Sequence, residues 1–197
     1  MKKFWNDRYA AEEFVYGKEP NEFFKSELSN LQPGKLLLPC EGEGRNAVFA
    51  ARQKWKVDAF DQSEKGKEKC LALANQYKVT VNYTIADALE IEMGENKYDM
   101  IALIFAHFPS AIRKQFHQKC INALKPGGLL LLEAFNPLQL NNESGGPKDP
   151  DMLYTTAILR DDFGNLNFKY LQELKVNLSE GKHHEGKADV IRLLATK

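Results

Sequence analysis

The sequence predicts a doubly wound α/β fold, and three observations carry that prediction. From Lys35 onward, short apolar runs alternate with helical stretches. Two of the runs, Tyr98–Phe105 and Leu129–Phe135, are apolar on both faces, as the central strands of a parallel sheet are. The first run, Leu36-Leu37-Leu38-Pro39, enters a glycine turn, Cys40-Glu41-Gly42-Glu43-Gly44-Arg45-Asn46-Ala47, and a second run ends in Asp61 about 20 residues on. That spacing belongs to a nucleoside-binding βαβ unit.

The elements follow in order. Residues 1–34 form an aromatic-rich extension. Strand one is Lys35–Pro39, with a helix from Asn46 to Gln53. Strand two is Lys56–Phe60, and Ser63 is a good N-cap for a helix reaching Tyr77. Strand three is Thr80–Ile85 and strand four is Tyr98–Phe105. The next helix, Ala111–Leu124, stops at Lys125-Pro126-Gly127-Gly128, where proline and glycine break it. Strand five is Leu129–Phe135. A turn-rich loop, Asn136–Asp151, has the length of a functional or mobile segment, and a short helix, Thr156–Phe163, comes after it. The chain closes in a hairpin. Its first arm alternates through Phe168, Tyr170, Leu174, Val176 and Leu178, with a slip near Leu171. Its second arm, Val190–Ala195, is more evenly apolar than the first, and Glu180–Gly186 forms the turn.

Composition narrows the function. With 197 residues, 43% of them hydrophobic, the chain has material for one domain with a full core. Its 27 basic and 27 acidic residues balance, which argues against a nucleic-acid footprint. The run Glu64-Lys65-Gly66-Lys67-Glu68-Lys69 mixes signs and reads as a solvated helix face. Cys40, Cys70 and Cys120 are odd in number and widely spaced, so they suggest neither a disulfide framework nor a close metal pair; a reducing cytoplasm suits them. No run has the length of a membrane span, and the first residues lack a signal-peptide core.

The chemistry turns on the glycine loop. Gly42-x-Gly44-x-x-Ala47 also fits the dinucleotide fingerprint, in which a pyrophosphate sits at a helix N-terminus. Glu41 and Glu43 oppose that. At roughly 5 Å and an effective dielectric near 20, each would cost a phosphate about 3 kcal/mol, part of it offset by Arg45 and solvent. A cofactor with an adenosine and cationic centres but no phosphate gains instead. S-adenosylmethionine (SAM), which carries a sulfonium and an ammonium, is that kind of molecule, and Asp61 is placed to hold its ribose.

Over its whole length the chain resembles class I SAM-dependent methyltransferases. Gly42-Glu43-Gly44-Arg45-Asn46-Ala47 looks like the SAM-binding loop, Asp61 like the ribose acid, and Asp87-Ala88 like the adenine contact. Leu124–Gly128 looks like the turn before strand five, and the terminal hairpin like strands six and seven. The resemblance implies a Rossmann-like seven-stranded sheet of order 3-2-1-4-5-7-6, mostly parallel with an antiparallel last strand. Trp5-Asn6-Asp7-Arg8-Tyr9, Tyr16–Asn21 and Glu180–Gly186 further resemble a small bacterial branch that includes tellurite-resistance-type methyltransferases. That branch suggests a small-molecule acceptor with a soft nucleophile, a thiol or metalloid anion. The family places an acid and a glycine where Leu38 and Cys40 stand here, so Glu41 is the substitute carboxylate for the SAM ammonium.

The site expected from this reading comprises Tyr9, Tyr16, Glu41, Gly42, Gly44, Asn46, Asp61, Gln62, Asp87, Ala88 and Phe105 around the cofactor. Tyr9 and Tyr16 would offer aromatic faces to the sulfonium, an attraction of roughly 0.5–2 kcal/mol. His107, just after strand four, is the candidate general base. His117 is read as a surface residue. His183 and His184 are adjacent, and on a strand they would face opposite ways, which argues against a metal site. The chain is read as a monomer or a homodimer, with no nucleic-acid or membrane partner. Two other readings stay open: an NAD(P)-dependent oxidoreductase, for which no substrate domain or acid–base pair is evident, and a SAM-binding protein without turnover.

Overall fold

The structure, a computed structural model, describes residues 2–197. Its centre is a seven-stranded sheet of order β3-β2-β1-β4-β5-β7-β6. The strands are β1 (Lys35–Pro39), β2 (Lys56–Asp61), β3 (Asn82–Ile85), β4 (Tyr98–Ile104), β5 (Leu124–Phe135), β6 (Asn167–Ser179) and β7 (Glu185–Thr196). β1 to β5 run parallel, and β7 pairs antiparallel with both β5 and β6. This is the expected sheet, strand for strand.

Alternation within the strands builds two cores. Leu36, Leu38, Met100, Ala102 and Leu131 face one side, with Phe23, Phe24, Val48 and Leu73. Leu37, Ile101, Leu103, Leu130 and Leu132 face the other, with Phe116, Cys120, Leu159 and Phe163. The first layer holds α2 (Glu22–Leu28), α3 (Arg45–Arg52) and α4 (Glu64–Gln76); the second holds α5 (Ser110–Ala123) and α6 (Thr156–Asp162). Ser63 caps α4 by accepting from Gly66 N–H at 3.0 Å, as its position predicts.

Local detail corrects one expectation, at Lys125–Gly128, and fills in others. The extension, to which the sequence assigns no elements, contains two helices, α1 (Lys2–Tyr9) and α2. Asn21 caps α2, its Oδ1 accepting from Phe24 N–H at 2.9 Å. Lys125–Gly128 does not stand outside the sheet: β5 begins at Leu124, a bulge lies between the Tyr98 and Met100 pairings, and Gly127 N–H donates to Lys197 O at 2.8 Å. The long loop carries short 3-10 turns at Pro137–Asn141 and Pro150–Met152. The slip near Leu171 is a bulge between Phe168 and Tyr170. Among the described residues no helix is long and apolar enough to cross a membrane.

Candidate functional site

The strand order reverses between β1 and β4, and in open α/β sheets ligands bind at that point, outside the carboxyl ends of the strands. A cavity of about 450 Å³ lies there, in the range that encloses a small ligand. It extends from Asp61 and Gln62, at the end of β2, past Cys40 and Phe105, to Phe135 and the hairpin turn at His184. Trp5, Tyr9 and Tyr16 cover it from the N-terminal extension, and Gly146–Asp149 from the long loop.

The glycine turn owes its path to close approaches. Cys40, where a glycine is usual, adopts φ +55°, and Gly42 and Gly44 have φ +61° and +90°. A Cβ on Gly44 would overlap Cys70 Sγ and stand 2.8 Å from Cys70 Cα, so α4 can pack there only against glycine. A Cβ on Gly42 would stand 2.6 Å from the Tyr9 hydroxyl. Neither glycine lines the cavity; their neighbours Cys40, Glu41, Glu43, Arg45 and Asn46 do.

The two glutamates behave differently from a bare repulsive pair. Glu43 is buried, and its Oε1 receives Lys69 Nζ at 2.7 Å while Oε2 accepts Val15 N–H at 2.9 Å. Its charge is neutralised, and it fastens the extension to α4. Glu41 turns back into the first turn of α3 and accepts Ala47 N–H at 2.7 Å. Burial pushes its carboxyl up to about 7, against the pull of the Ala47 and Asn46 N–H groups and Arg45. The expected charge repulsion is therefore weaker than the sequence implied. What opposes a pyrophosphate is occupancy: a side chain of the protein already takes the helix N-terminal amide such a group would use.

Asp61 ends β2 at the cavity wall, 7% exposed. Its Oδ2 accepts Gly42 N–H at 3.2 Å and its Oδ1 accepts Ser63 N–H at 2.8 Å, which fixes the carboxylate and leaves each oxygen a further lone pair. Burial raises its pKa, opposed by those same amides. Gln62 and Ala88 line the cavity; Asp87 does not. Asp87 instead accepts Gln62 Nε2 at 2.6 Å and Leu89 N–H at 2.9 Å, so it orients Gln62. Asn46 lines the cavity, and its Oδ1 accepts Asn21 N–H at 2.9 Å.

At the other end, Phe105 holds φ +52°, which is costly for a large side chain. That turn stacks its ring on Phe135, centroids 4.6 Å apart. Tyr9 is buried and stacked on Trp5 at 5.5 Å; Tyr16 meets Tyr9 edge-on at 6.4 Å, and its hydroxyl accepts from Arg8 at 3.2 Å. His107 lines the cavity with both nitrogens committed. Nδ1 donates to Met152 O at 2.6 Å, and Nε2 accepts Phe135 N–H at 3.2 Å. Burial brings its pKa down to about 4, so the ring is neutral and its one lone pair is occupied.

The sequence reading missed His184. It is 6% exposed, lines the cavity, and lies edge-on to Phe105 at 4.5 Å and beside Tyr16 at 4.6 Å. The strand argument about adjacent histidines does not apply, because β7 starts only at Glu185 and His184 sits in the turn. Beneath it runs a buried polar network. Arg45 Nη2 donates to Glu180 Oε2 at 2.7 Å, and Asn21 Nδ2 donates to Glu180 Oε1 at 2.9 Å and to Glu133 Oε1 at 2.6 Å. Arg192 also pairs with Glu133. These bonds join the extension, α3, β5 and the hairpin. Among the described residues no cluster of three metal-ligating side chains occurs.

His117 is not on the surface. It is fully buried in α5, with Nδ1 2.8 Å from Asp162 Oδ2, which also accepts Arg113 Nε at 2.7 Å. Phe116, His117, Cys120 and Ile121 are all buried, as one helical face should be, and that period was the available signal.

A family model described as a methyltransferase domain matches residues 38–128, the stretch from β1 into β5 that holds the glycine turn and Asp61. Thiopurine S-methyltransferase of Legionella pneumophila strain Corby is 28% identical over 163 residues, covering 71% of this chain and 71% of its own. Among solved structures, one from work on the conversion of a disulfide bond into a thioacetal group during echinomycin biosynthesis matches with a TM-score of 0.79 at 15% identity, over 99% of this chain and 88% of that one. TehB from Haemophilus influenzae gives 0.73 at 15%, over 100% of this chain and 66% of its own. The Burkholderia thailandensis 1,6-didemethyltoxoflavin-N1-methyltransferase, with 1,6-didemethyltoxoflavin and S-adenosylhomocysteine bound, gives 0.65 at 16%, over 89% and 75%. At these identities the solved structures share the fold.

Proposed function

We propose that this SAM-dependent methyltransferase methylates a small molecule through a soft nucleophile, a thiol or a metalloid anion. The observation that carries the reading is one cavity with a fixed carboxylate at one end and an aromatic, histidine-bearing wall at the other. Bound there, SAM supplies a methyl group made electrophilic by its sulfonium.

The residues present suit that cofactor. Asp61 has lone pairs to accept ribose hydroxyls, and Gln62, held by Asp87, and Ala88 border the adenine region. Glu41 keeps a carboxylate at the cavity wall for an ammonium, though one of its oxygens is spent on α3. Tyr9, Tyr16 and Phe105 supply ring faces to a cation. Asn46 contributes by fastening the extension, and Gly42 and Gly44 by shaping the turn. We assign His107 to anchoring the long loop rather than to proton transfer, since both its nitrogens bind backbone.

The protein's contribution is alignment, which supplies about 7–11 kcal/mol in favourable systems. The extension before β1 acts as a cap that keeps water from the cavity, and the core from Lys35 onward carries it. The soft-nucleophile preference rests on the thiopurine S-methyltransferase relatives and on the apolar ring faces at the acceptor end. A cytoplasmic setting suits three free cysteines, two of them fully buried.

Incubation with SAM and a panel of thiols, selenite, tellurite, amines and phenols, read as S-adenosylhomocysteine release, tests the proposal. Faster turnover on thiols or metalloid anions is expected. Turnover confined to amines or phenols would overturn the acceptor class, and none on any acceptor would favour a binding protein.

A further inference from the structure

The cavity ends on His184, whose ring packs on Tyr16, Phe105 and Phe135. His184 Nδ1 is buried without a hydrogen-bond partner. It points toward Glu180 Oε2 at 3.7 Å, within ion-pair reach but too long for a hydrogen bond. Glu180 is rigidly held by Arg45 and Asn21. A buried polar atom left unsatisfied is costly and calls for an explanation; His117 Nε2 and Asp162 Oδ1 share that state in the core, whereas His184 alone of the three lines the cavity.

Position adds a second line. Neighbouring strands lie about 4.8 Å apart. Asp61 ends β2, and Phe135 ends β5, three strands along and about 14 Å away; the rings of Phe105 and His184 pack on Phe135 at that end of the cavity. With the nucleoside at Asp61, that end faces the acceptor.

We propose that His184, oriented by Glu180, is the base that takes the proton from a protonated acceptor during methyl transfer. This rests on the soft-nucleophile reading above. The acceptor sulfur forms a bond to the methyl carbon as the methyl–sulfonium bond breaks, and that bond's electron pair goes to the departing sulfur, which becomes neutral. The thiol proton passes to His184 Nε2, the imidazolium is stabilised by Glu180 through Nδ1–H, and the proton then leaves to solvent.

The surrounding charges permit this. Burial lowers the His184 pKa below that of an ordinary imidazole; Glu180 opposes the drop, and Arg45 and His183 add to it. Tyr16 adds a neutral ring and His107 a neutral imidazole. Burial pushes Glu180 up, yet His184 and Arg45 hold its carboxyl down to about 2, so it is charged throughout the working range. A free imidazole near an ionised carboxylate suits general base catalysis near neutral pH.

The test compares wild type with H184Q on thiols of graded acidity. An ordinary thiol of pKa about 8.5 is only about 3% thiolate at pH 7. H184Q should therefore be slower by about 30-fold on such a thiol at pH 7, and near wild type on an acidic aromatic thiol already ionised there. Raising the pH toward 9 should restore the variant on the ordinary thiol. An equal loss on all thiols at every pH, with SAM affinity and melting temperature unchanged, would overturn the base role and leave His184 a packing residue. If wild type methylates no thiol while turning over selenite or tellurite, the thiol chemistry and this proposal fall together and metalloid transfer stands. If it turns over amines or phenols alone, the soft-nucleophile reading falls as well.

Discussion

Replacing Glu41 by glutamine removes a charge that the fold accommodates at a cost. The carboxyl is 9% exposed and its pKa is raised from 4.5 to about 7, mainly by burial. A carboxyl with a raised folded pKa binds more protons in the native state than in the unfolded chain. Its contribution is fully present below pH 4.5 and is lost as pH rises through about 7. The gap corresponds to about 3 kcal/mol of destabilisation once Glu41 is fully ionised. Glutamine keeps an oxygen for Ala47 N–H and never ionises. Urea denaturation of wild type and E41Q from pH 5 to 8.5 measures the difference. Stability of the variant relative to wild type should climb by about 2.5 kcal/mol between pH 5 and 8.5, the rest of the gap lying below pH 5. SAM should bind E41Q more weakly, because the ammonium loses its carboxylate. A stability difference that stays flat with pH would show that Glu41 is ionised in the fold without penalty, and would refute the reasoning.

Three further substitutions probe the same structure. D61N removes a carboxylate that would accept ribose hydroxyls, and calorimetry should show SAM affinity falling by about 10–100-fold, the scale of a charge-assisted hydrogen bond; an unchanged affinity would move the ribose elsewhere. G44A places a Cβ against Cys70 at φ +90°, and strain plus overpacking should cost about 2–5 kcal/mol by chemical denaturation. D162A leaves Arg113 and the buried His117 without their shared acceptor, and should lower stability by about 3–5 kcal/mol while SAM binding to the intact fold persists.

The central sheet was legible because β4 and β5 are apolar on both faces, the hairpin arms carry their own periods, and the helices announce themselves by period and cap. Ser63 lies where its side-chain chemistry places it. The helices of the extension were not legible. α1 draws its order from contacts made at a distance, such as Asn6 Oδ1 accepting Ser63 Oγ–H at 2.8 Å and Tyr9 lying over Gly42, and no local pattern encodes those. The candidate site was legible as a set of residues lying mostly along one cavity, but their partners were not. Asp87 sits behind Gln62, Glu41 caps α3, and Glu43 pairs with Lys69, because side-chain direction depends on tertiary neighbours that spacing does not reveal. His184 was missed for a local reason: strand parity was applied to a turn.

Calorimetric titration of the protein with SAM, S-adenosylhomocysteine and NADH bears most directly on the whole account. With Asp61 free to hold a ribose and Glu41 already occupying the N-terminus of α3, SAM and S-adenosylhomocysteine should each bind one per chain and NADH should not bind. Binding of NADH without binding of SAM would mean that the cavity accepts a pyrophosphate after all, and would contradict the assignment of this chain to methyl transfer.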